Sequence, residues 1–236
     1  MSIYSAKKPT EQEAALFKGH DILSTYQFTK EELEILMRTA GYYEEALVAQ
    51  KRLYDMDGKV MAALFYEPST RTRLSFETAM HRLGGSVITV AESAKNQISS
   101  TSKGETMHDT FTIVDGYADV IVCRSPQTGV PQIGAAAAEH PVINAGDGAG
   151  QHPSQALLDM YTIGKEKGGV DGLTVAMVGD LKNGRTVHSL IEFLAMYDTK
   201  LIFVSPDSLQ MPADITAKTR EKGIEIEAVS YTHLQP

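Results

Sequence analysis

Apolar positions along the chain alternate between short unbroken runs and longer stretches with helical spacing. Val60–Phe65 is short and continuously apolar, as a buried parallel strand is. Further runs at Ser86–Val90, Val120–Cys123 and Val142–Ala145 alternate with helical stretches near Leu74–Leu83, Glu105–Tyr117 and Pro131–Glu139. In the first of these helices Phe76, Ala79, Met80 and Leu83 recur at i, i+3, i+4 and i+7. An earlier helix is expected from about Thr29, where Glu32 stands at capping-box spacing. Pro153–Lys167 reads as a linking helix, with Ala156, Leu157, Met160 and Tyr161 on one face and Gly168-Gly169 ending it. A second alternation follows: a strand at Leu173–Val178, a helix carrying Val187, Leu190, Ile191 and Leu194, a strand at Leu201–Val204, a helix near Ala213–Lys222 and a strand at Ile224–Val229. The pattern predicts an α/β protein of two parallel-sheet domains, residues 1–152 and 153–236, the second of them short.

With 236 residues and 42% hydrophobic content the chain can bury a core in each of two such domains. No apolar stretch approaches membrane-span length and the N-terminus lacks the apolar core of a signal peptide, so a soluble cytoplasmic protein is expected. A net charge of −8 disfavours nucleic acid as a partner. The single cysteine, Cys123, lies inside an apolar run and reads as a buried thiol. Seven histidines stand without cysteine partners or short ligand spacings, so no metal is expected. There is no internal repeat, and Ser93–Ser102 reads as a long polar loop.

Against that negative charge, Pro68-Ser69-Thr70-Arg71-Thr72-Arg73 concentrates two guanidiniums and three hydroxyls between a strand and a helix. Free backbone N–H groups at a helix start, with hydroxyls and Arg71 beside them, make an anion cradle. The blander reading, an N-capping Ser/Thr cluster with solvated arginines, fits this segment equally well when it is taken alone. The Gly-rich turn after Val178 does not follow the Gly-x-Gly-x-x-Gly spacing of a dinucleotide site, so no nucleotide cofactor is expected.

The remaining motifs are Ser99-Ser100-Thr101-Ser102-Lys103-Gly104-Glu105-Thr106, Arg124-Ser125-Pro126, Asn144-Ala145-Gly146-Asp147-Gly148, Gln151-His152-Pro153-Ser154-Gln155 and Gly179-Asp180-Leu181-Lys182-Asn183-Gly184-Arg185-Thr186-Val187-His188-Ser189-Leu190. In this order and spacing, from about Gly19 to about Val229, the chain resembles the catalytic chains of the aspartate carbamoyltransferase family, which move a carbamoyl group from carbamoyl phosphate to the amino group of aspartate. The resemblance implies the carbamoyltransferase fold, no cofactor, and carbamoyl phosphate and L-aspartate as substrates. It implies that Ser69, Thr70, Arg71 and Thr72 hold the phosphate and that Thr72, Arg124 and His152 act on the carbonyl oxygen as the catalytic clamp. Gln155 would meet the carbamoyl amide, and Arg185 a carboxylate of aspartate. Ser99 and Lys103 would reach in from a neighbouring subunit, Lys103 serving both substrates, which implies a homotrimer; association with regulatory subunits is left open. Arg73 is assigned to packing within the motif through Glu77 at i+4, and Asp180, Lys182 and Asn183 to shaping their own loop. Family members continue past the strand at Ile224–Val229, so the second domain is expected to be incomplete, and Tyr231–Pro236 has no counterpart in that continuation. An ornithine carbamoyltransferase, sharing the cradle and the His-Pro-x-Gln motif, is the nearest alternative, and a noncatalytic carbamoyltransferase-like scaffold the next.

Overall fold

The computed structural model describes residues 6–91 and 104–230. Two parallel sheets organise them. The first has the order β2-β1-β3-β4, built from β1 (Val60–Phe65), β2 (Ser86–Ala91), β3 (Val120–Ser125) and β4 (Val142–Asp147). The second has the order β5-β6-β7, from β5 (Leu173–Val178), β6 (Thr199–Ser205) and β7 (Glu225–Ser230). The helices are α1 (Glu11–Ala15), α2 (Lys30–Val48), α3 (Thr70–Arg82), α4 (Met107–Asp115), α5 (Val130–Ala137), α6 (Pro153–Lys167), α7 (Arg185–Leu194) and α8 (Ala213–Glu221). Among the described residues no helix is long and apolar enough to cross a membrane.

The chain leaves β1, runs to β2 on one side and then crosses to β3 on the other, so the order reverses between β1 and β3. At such a reversal the loops beyond the carboxyl ends of the strands diverge and leave a crevice. Phe65 at the end of β1 pairs with Arg124 near the end of β3, which places that crevice between Glu67 and Arg124. The N-terminal segment adds one parallel bridge, Ile22 to Ile143, on the outer edge of β4.

Burial follows the apolar runs at the centre of each sheet and departs from them at the edges. Met61 to Phe65 and Ile121 to Cys123 are buried, with α4 and α5 on one face of the first sheet and α3 on the other. Strand β2 is an edge, and its Ile88 and Val90 are 43% and 37% exposed. Burial also pushes the Cys123 thiol far up, which keeps it protonated and inert. The second core joins Leu190, Ile191, Phe193 and Leu194 of α7 and Leu201 and Phe203 of β6 to Leu33 and Met37 of α2 and Ala156 and Met160 of α6. Helix α2, from the first half of the chain, and the linking helix α6 therefore both pack into the hydrophobic cluster of the second sheet.

Local signals set the helix starts. The capping box expected at Thr29 is present: the Glu32 amide donates to Thr29 Oγ1 at 3.2 Å and the Thr29 amide donates to Glu32 Oε2 at 2.8 Å. The linking helix spans Pro153–Lys167 as expected and ends on Gly168, whose φ of +76° suits a left-handed C-cap. Helix α3 begins at Thr70, four residues before the apolar periodicity does, so the cradle residues are its first turn instead of a preceding loop. On that helix only Met80 is buried, because Phe76 and Ala79 border an open cleft.

Gly134, inside α5, marks the closest contact in the first core. A Cβ there would lie 2.3 Å from Cε1 of Phe111, a ring with no exposed surface. Gly134→Ala is expected to cost about 1–3 kcal/mol, the usual penalty for overpacking a filled core. The check is urea unfolding, with an unchanged midpoint as the contrary result.

Candidate active site

One cavity of about 940 Å³ opens at the reversal point and is lined by residues from three helix starts: Ser69 to Thr72 of α3, His152 and Gln155 of α6, and Arg185 and Thr186 of α7. Arg124 at the end of β3 closes it from below. The first-turn amides of a helix have no partner within the helix and carry the positive end of its dipole. In α1, α2 and α4 a threonine caps those amides with its side chain. Ser69, His152 and Gly184, the N-cap residues of α3, α6 and α7, make no side-chain cap. The capping reading of Ser69 is thus set aside: its hydroxyl makes no bond to the helix it precedes, and three helix starts without side-chain caps face one cavity.

Glu67, just after β1, organises the cations. Arg124 Nε donates to Glu67 Oε1 at 2.7 Å, and its Nη2 meets the same oxygen. Arg185 Nη2 donates to that oxygen at 3.1 Å, while Nη1 donates to the Gly148 carbonyl. Arg124 Nη1 reaches the Ala145 carbonyl at 3.2 Å, Thr72 Oγ1 at 3.4 Å and His152 Nε2 at 3.4 Å. One carboxylate thus holds two guanidiniums that would otherwise repel, one from β3 and one from the start of α7. Gly146 makes room for both: its φ is +114°, and a Cβ there would stand 3.3 Å from Arg124 Nη1 and from Arg185 Cζ.

His152 is buried between these charges. Burial first, and then the Arg124 and Arg185 guanidiniums, push its imidazole down to about 4. A neutral ring at neutral pH follows. Its backbone amide donates to Ser189 Oγ at 3.1 Å, and Ser189 Oγ in turn donates to Gln151 Oε1 at 3.2 Å. Gln151 Oε1 also accepts from Thr25 Oγ1 at 2.9 Å. Thr25 and Ser189 have no exposed surface, so this is an interior polar hub that ties the N-terminal segment, α6 and α7 together at His152.

The structure brings Ser69, Thr70, Arg71, Thr72, Arg124, His152, Gln155 and Arg185 to a single cavity. Ser99 and Lys103 lie outside the described residues. Arg73 does not line this cavity but an adjoining one beside Glu67 and Ser69; its Nε stands 3.7 Å from Glu77 Oε1, and Glu77 also accepts from Thr89 Oγ1 at 2.8 Å. Asp180 accepts from the amides of Lys182 and Asn183 at 3.1 and 2.9 Å, so it shapes its own turn. The pattern reading did not single out Glu67, Gln151 or Ser189. Glu67 carried one signal, an acidic residue between a buried strand and the cradle; Gln151 and Ser189 look like ordinary polar neighbours of a motif. Among the described residues no group of three or more His, Cys, Asp or Glu side chains converges as a metal site would.

Such a cavity, at a reversal of strand order and walled by helix starts and arginines, defines an α/β protein that binds a small anionic substrate. Residues 20–165 match the family model described as aspartate/ornithine carbamoyltransferase, carbamoyl-P binding domain, and residues 171–234 match the one described as aspartate/ornithine carbamoyltransferase, Asp/Orn binding domain. The chain belongs to the aspartate/ornithine carbamoyltransferase family. It is 51% identical over 210 residues to the aspartate carbamoyltransferase catalytic subunit of Thermococcus onnurineus, covering 89% of this chain and 67% of that one. It is 44% identical over 223 residues to the catalytic subunit from Archaeoglobus fulgidus, covering 91% of this chain and 74% of that one. Among solved structures, aspartate transcarbamoylase from Trypanosoma cruzi in complex with carbamoyl aspartate and phosphate superposes with a TM-score of 0.85 at 42% identity, over 91% of this chain and 71% of that one. The catalytic subunit from M. Jannaschii superposes at 0.84 and 46% identity, over 92% and 70%. The chain thus spans about two thirds of the length of the first of these relatives.

The position of His152 has a measurable consequence. The folded chain refuses the ring proton until about pH 4, whereas the unfolded chain takes it up near 6.5. Below about pH 6.5 the unfolded state binds more protons, so this residue lowers stability as pH falls toward about 4 and has no effect above that window. Histidine ring NMR should show one midpoint near 4, and His152→Gln should flatten the pH dependence of urea unfolding over the same range. A His152 midpoint near 6.5 would contradict the buried, cation-flanked environment.

Proposed function

We propose that this chain transfers the carbamoyl group of carbamoyl phosphate to the amino group of L-aspartate, giving N-carbamoyl-L-aspartate and phosphate. The observation that carries the reading is the set of three uncapped helix starts around the Arg124, Arg185 and Glu67 cluster, in a chain whose relatives are named aspartate carbamoyltransferase catalytic subunits. Residues 1–152 are assigned to carbamoyl phosphate and 153–236 to aspartate, with the cleft between them.

Carbamoyl phosphate is a mixed anhydride with a good leaving group, so no nucleophilic side chain is required. Charge stabilisation and positioning suffice. The first-turn amides of α3, the hydroxyls of Ser69, Thr70 and Thr72, and the Arg71 guanidinium receive the phosphate. Thr72, Arg124 and His152 face the carbonyl oxygen, where negative charge grows as the amine adds. A neutral His152 in the Nε2–H tautomer, with Nδ1 accepting from Ser154 Oγ at 3.3 Å, donates to that oxygen once Arg124 Nη1, a donor 3.4 Å from Nε2, turns to the same oxygen. The neutral aspartate amine attacks the carbonyl carbon, the carbon–oxygen bond to phosphate breaks, and the departing phosphate takes the bonding pair into the cradle together with the proton that the amine nitrogen gives up. Gln155 meets the carbamoyl amide, and Arg185 takes an aspartate carboxylate in place of part of its contact with Glu67. Each charge-assisted contact contributes about 1.5–3 kcal/mol. Loss of one aimed oxyanion donor costs about 2.7–4 kcal/mol of transition-state stabilisation.

The same reading makes the protein a cytoplasmic homotrimer, each site completed by Ser99 and Lys103 of a neighbouring copy. A head-to-tail contact of that kind closes under threefold symmetry.

Arg71→Ala removes a cation and no core volume, so it should leave thermal unfolding unchanged and weaken phosphate binding by about tenfold or more. Calorimetry with inorganic phosphate measures this, and unaltered affinity would overturn the cradle assignment. A second outcome tests the borrowed residues. Lys103→Ala and Arg71→Ala chains, each bound poorly by phosphate alone, should regain a fraction of tight sites once subunits have exchanged. Demonstrated exchange with no recovered tight sites would show that each site is built from one copy.

A further inference from the structure

Gln155 presents a carboxamide to the cavity, and a carboxamide has two nearly identical ends of opposite hydrogen-bonding character. In an open cleft it can turn over and offer either two donors or an acceptor. Here one end is engaged: Gln155 Nε2 donates to Asp159 Oδ1 at 2.9 Å. Asp159 sits one turn further along α6, at i+4, where such a pair meets side to side. It does not line the cavity itself. Among the described residues it has no cationic partner, and none donates to Gln155 Oε1.

We propose that Asp159 is a positioning residue that fixes the Gln155 carboxamide so that its oxygen, and not its NH2, faces the substrate. The inference rests on the reading that Gln155 meets the carbamoyl group. An ionised carboxylate only accepts hydrogen bonds, so the end of Gln155 turned toward it must be the NH2. Oε1 is then left toward the cavity as an acceptor. The Asp159 carboxyl lies above its ordinary value because of its burial, and the Gln155 NH2, by supporting the charged form, offsets part of that rise. The consequence is chemical selection at one atom of the acyl phosphate. A carbamoyl NH2 finds an acceptor; a methyl group at the same place finds no partner and leaves Oε1 dry and unpaired, and a carboxylate oxygen there would face another acceptor. The site thus prefers a carbamoyl phosphate to an acetyl phosphate, through a residue that touches neither.

Two stable phosphonates separate the possibilities. Phosphonoacetamide and 2-oxopropylphosphonate share the phosphonate and the carbonyl and differ in NH2 against CH3. By calorimetry the intact chain should bind the amide about five- to tenfold more tightly, the span of one buried hydrogen bond. Asp159→Asn keeps the volume but offers both a donor and an acceptor, so Gln155 can turn over; the preference should fall at least about threefold while affinity for the methyl ketone stays within about twofold. Asp159→Glu, which restores an acceptor-only group, should retain most of the preference. Gln155→Ala should abolish it. If Gln155→Ala leaves the preference intact, the contact between Gln155 and the carbamoyl amide is wrong. If Gln155→Ala abolishes it but Asp159→Asn does not, or if Asp159→Asn weakens both ligands alike, Asp159 does not orient the amide and the inference is overturned. Thermal unfolding of each variant shows that a folded chain is being compared, and if Asp159→Asn fails to fold, loss of preference in Asp159→Glu decides against the inference.

Discussion

The carboxylate of Glu67, shared by Arg124 and Arg185, is the contact on which the site depends. Two guanidiniums, one from strand β3 and one from the first residue of helix α7, converge on one oxygen, and each is mostly withdrawn from solvent. Two such cations this close are tolerable only with an anion between them, and removing that anion leaves partly buried charge uncompensated, a loss of about 3–5 kcal/mol. The pair therefore serves position more than stability. Arg124 is held under the cradle with one amino group still directed at Thr72 and His152, and Arg185 is held across the cleft from it. The space for both arises from a glycine with positive φ at the end of β4, where any side chain would strike them.

Around this cluster the backbone supplies the rest of the positive field. A chain with net charge −8 must gather its positive potential locally, and three uncapped helix starts add to the Arg71, Arg124 and Arg185 guanidiniums that line the cavity. Parallel topology is what allows it. In a parallel sheet every strand delivers its following helix to the same end, so α3 after β1, α6 after β4 and α7 after β5 begin on one side of the molecule. Away from the cleft α1, α2 and α4 carry threonine caps, while α5 and α8, which start on Gly129 and Pro212, have no side-chain cap. At the cleft the uncapped starts leave donors for an anion, and the water-accessible cavity lets those amides remain solvated when it is empty.

Strands and most helices were legible because their apolar spacing is set by burial. β1 and β5 and the linking helix α6 span the expected residues, since each has a continuous or cleanly periodic apolar face and a defined end signal. The start of α3 was not legible from periodicity, because its first turn is polar on every side and its contribution is chemical instead of apolar. For the same reason the cradle residues, Arg124, His152, Gln155 and Arg185 could be grouped from motifs, while the groups that hold them could not. Glu67 acts through two arginines that lie 57 and 118 residues further on. Thr25 and Ser189 act through Gln151 across 126 and 38 residues. Such partners are ordinary polar residues in the chain and become special only when the fold brings them to one point.

The hub at Gln151 also bears on why the cleft has a defined width. His152 belongs to the helix that leaves the first sheet, yet its amide is held by Ser189, which belongs to the helix that follows the first strand of the second sheet. A shift of α7 would therefore displace the imidazole as well as Arg185, at the opening residue of that same helix. Ser189 has no exposed surface and its oxygen is committed to two partners, so a sliding movement would strand buried polar atoms at about 1–3 kcal/mol each. On the reading proposed above, the hub fixes His152 on the side of the site where the carbonyl oxygen is met, and the ionic Glu67 contact with Arg185 lies where an incoming carboxylate can compete for it.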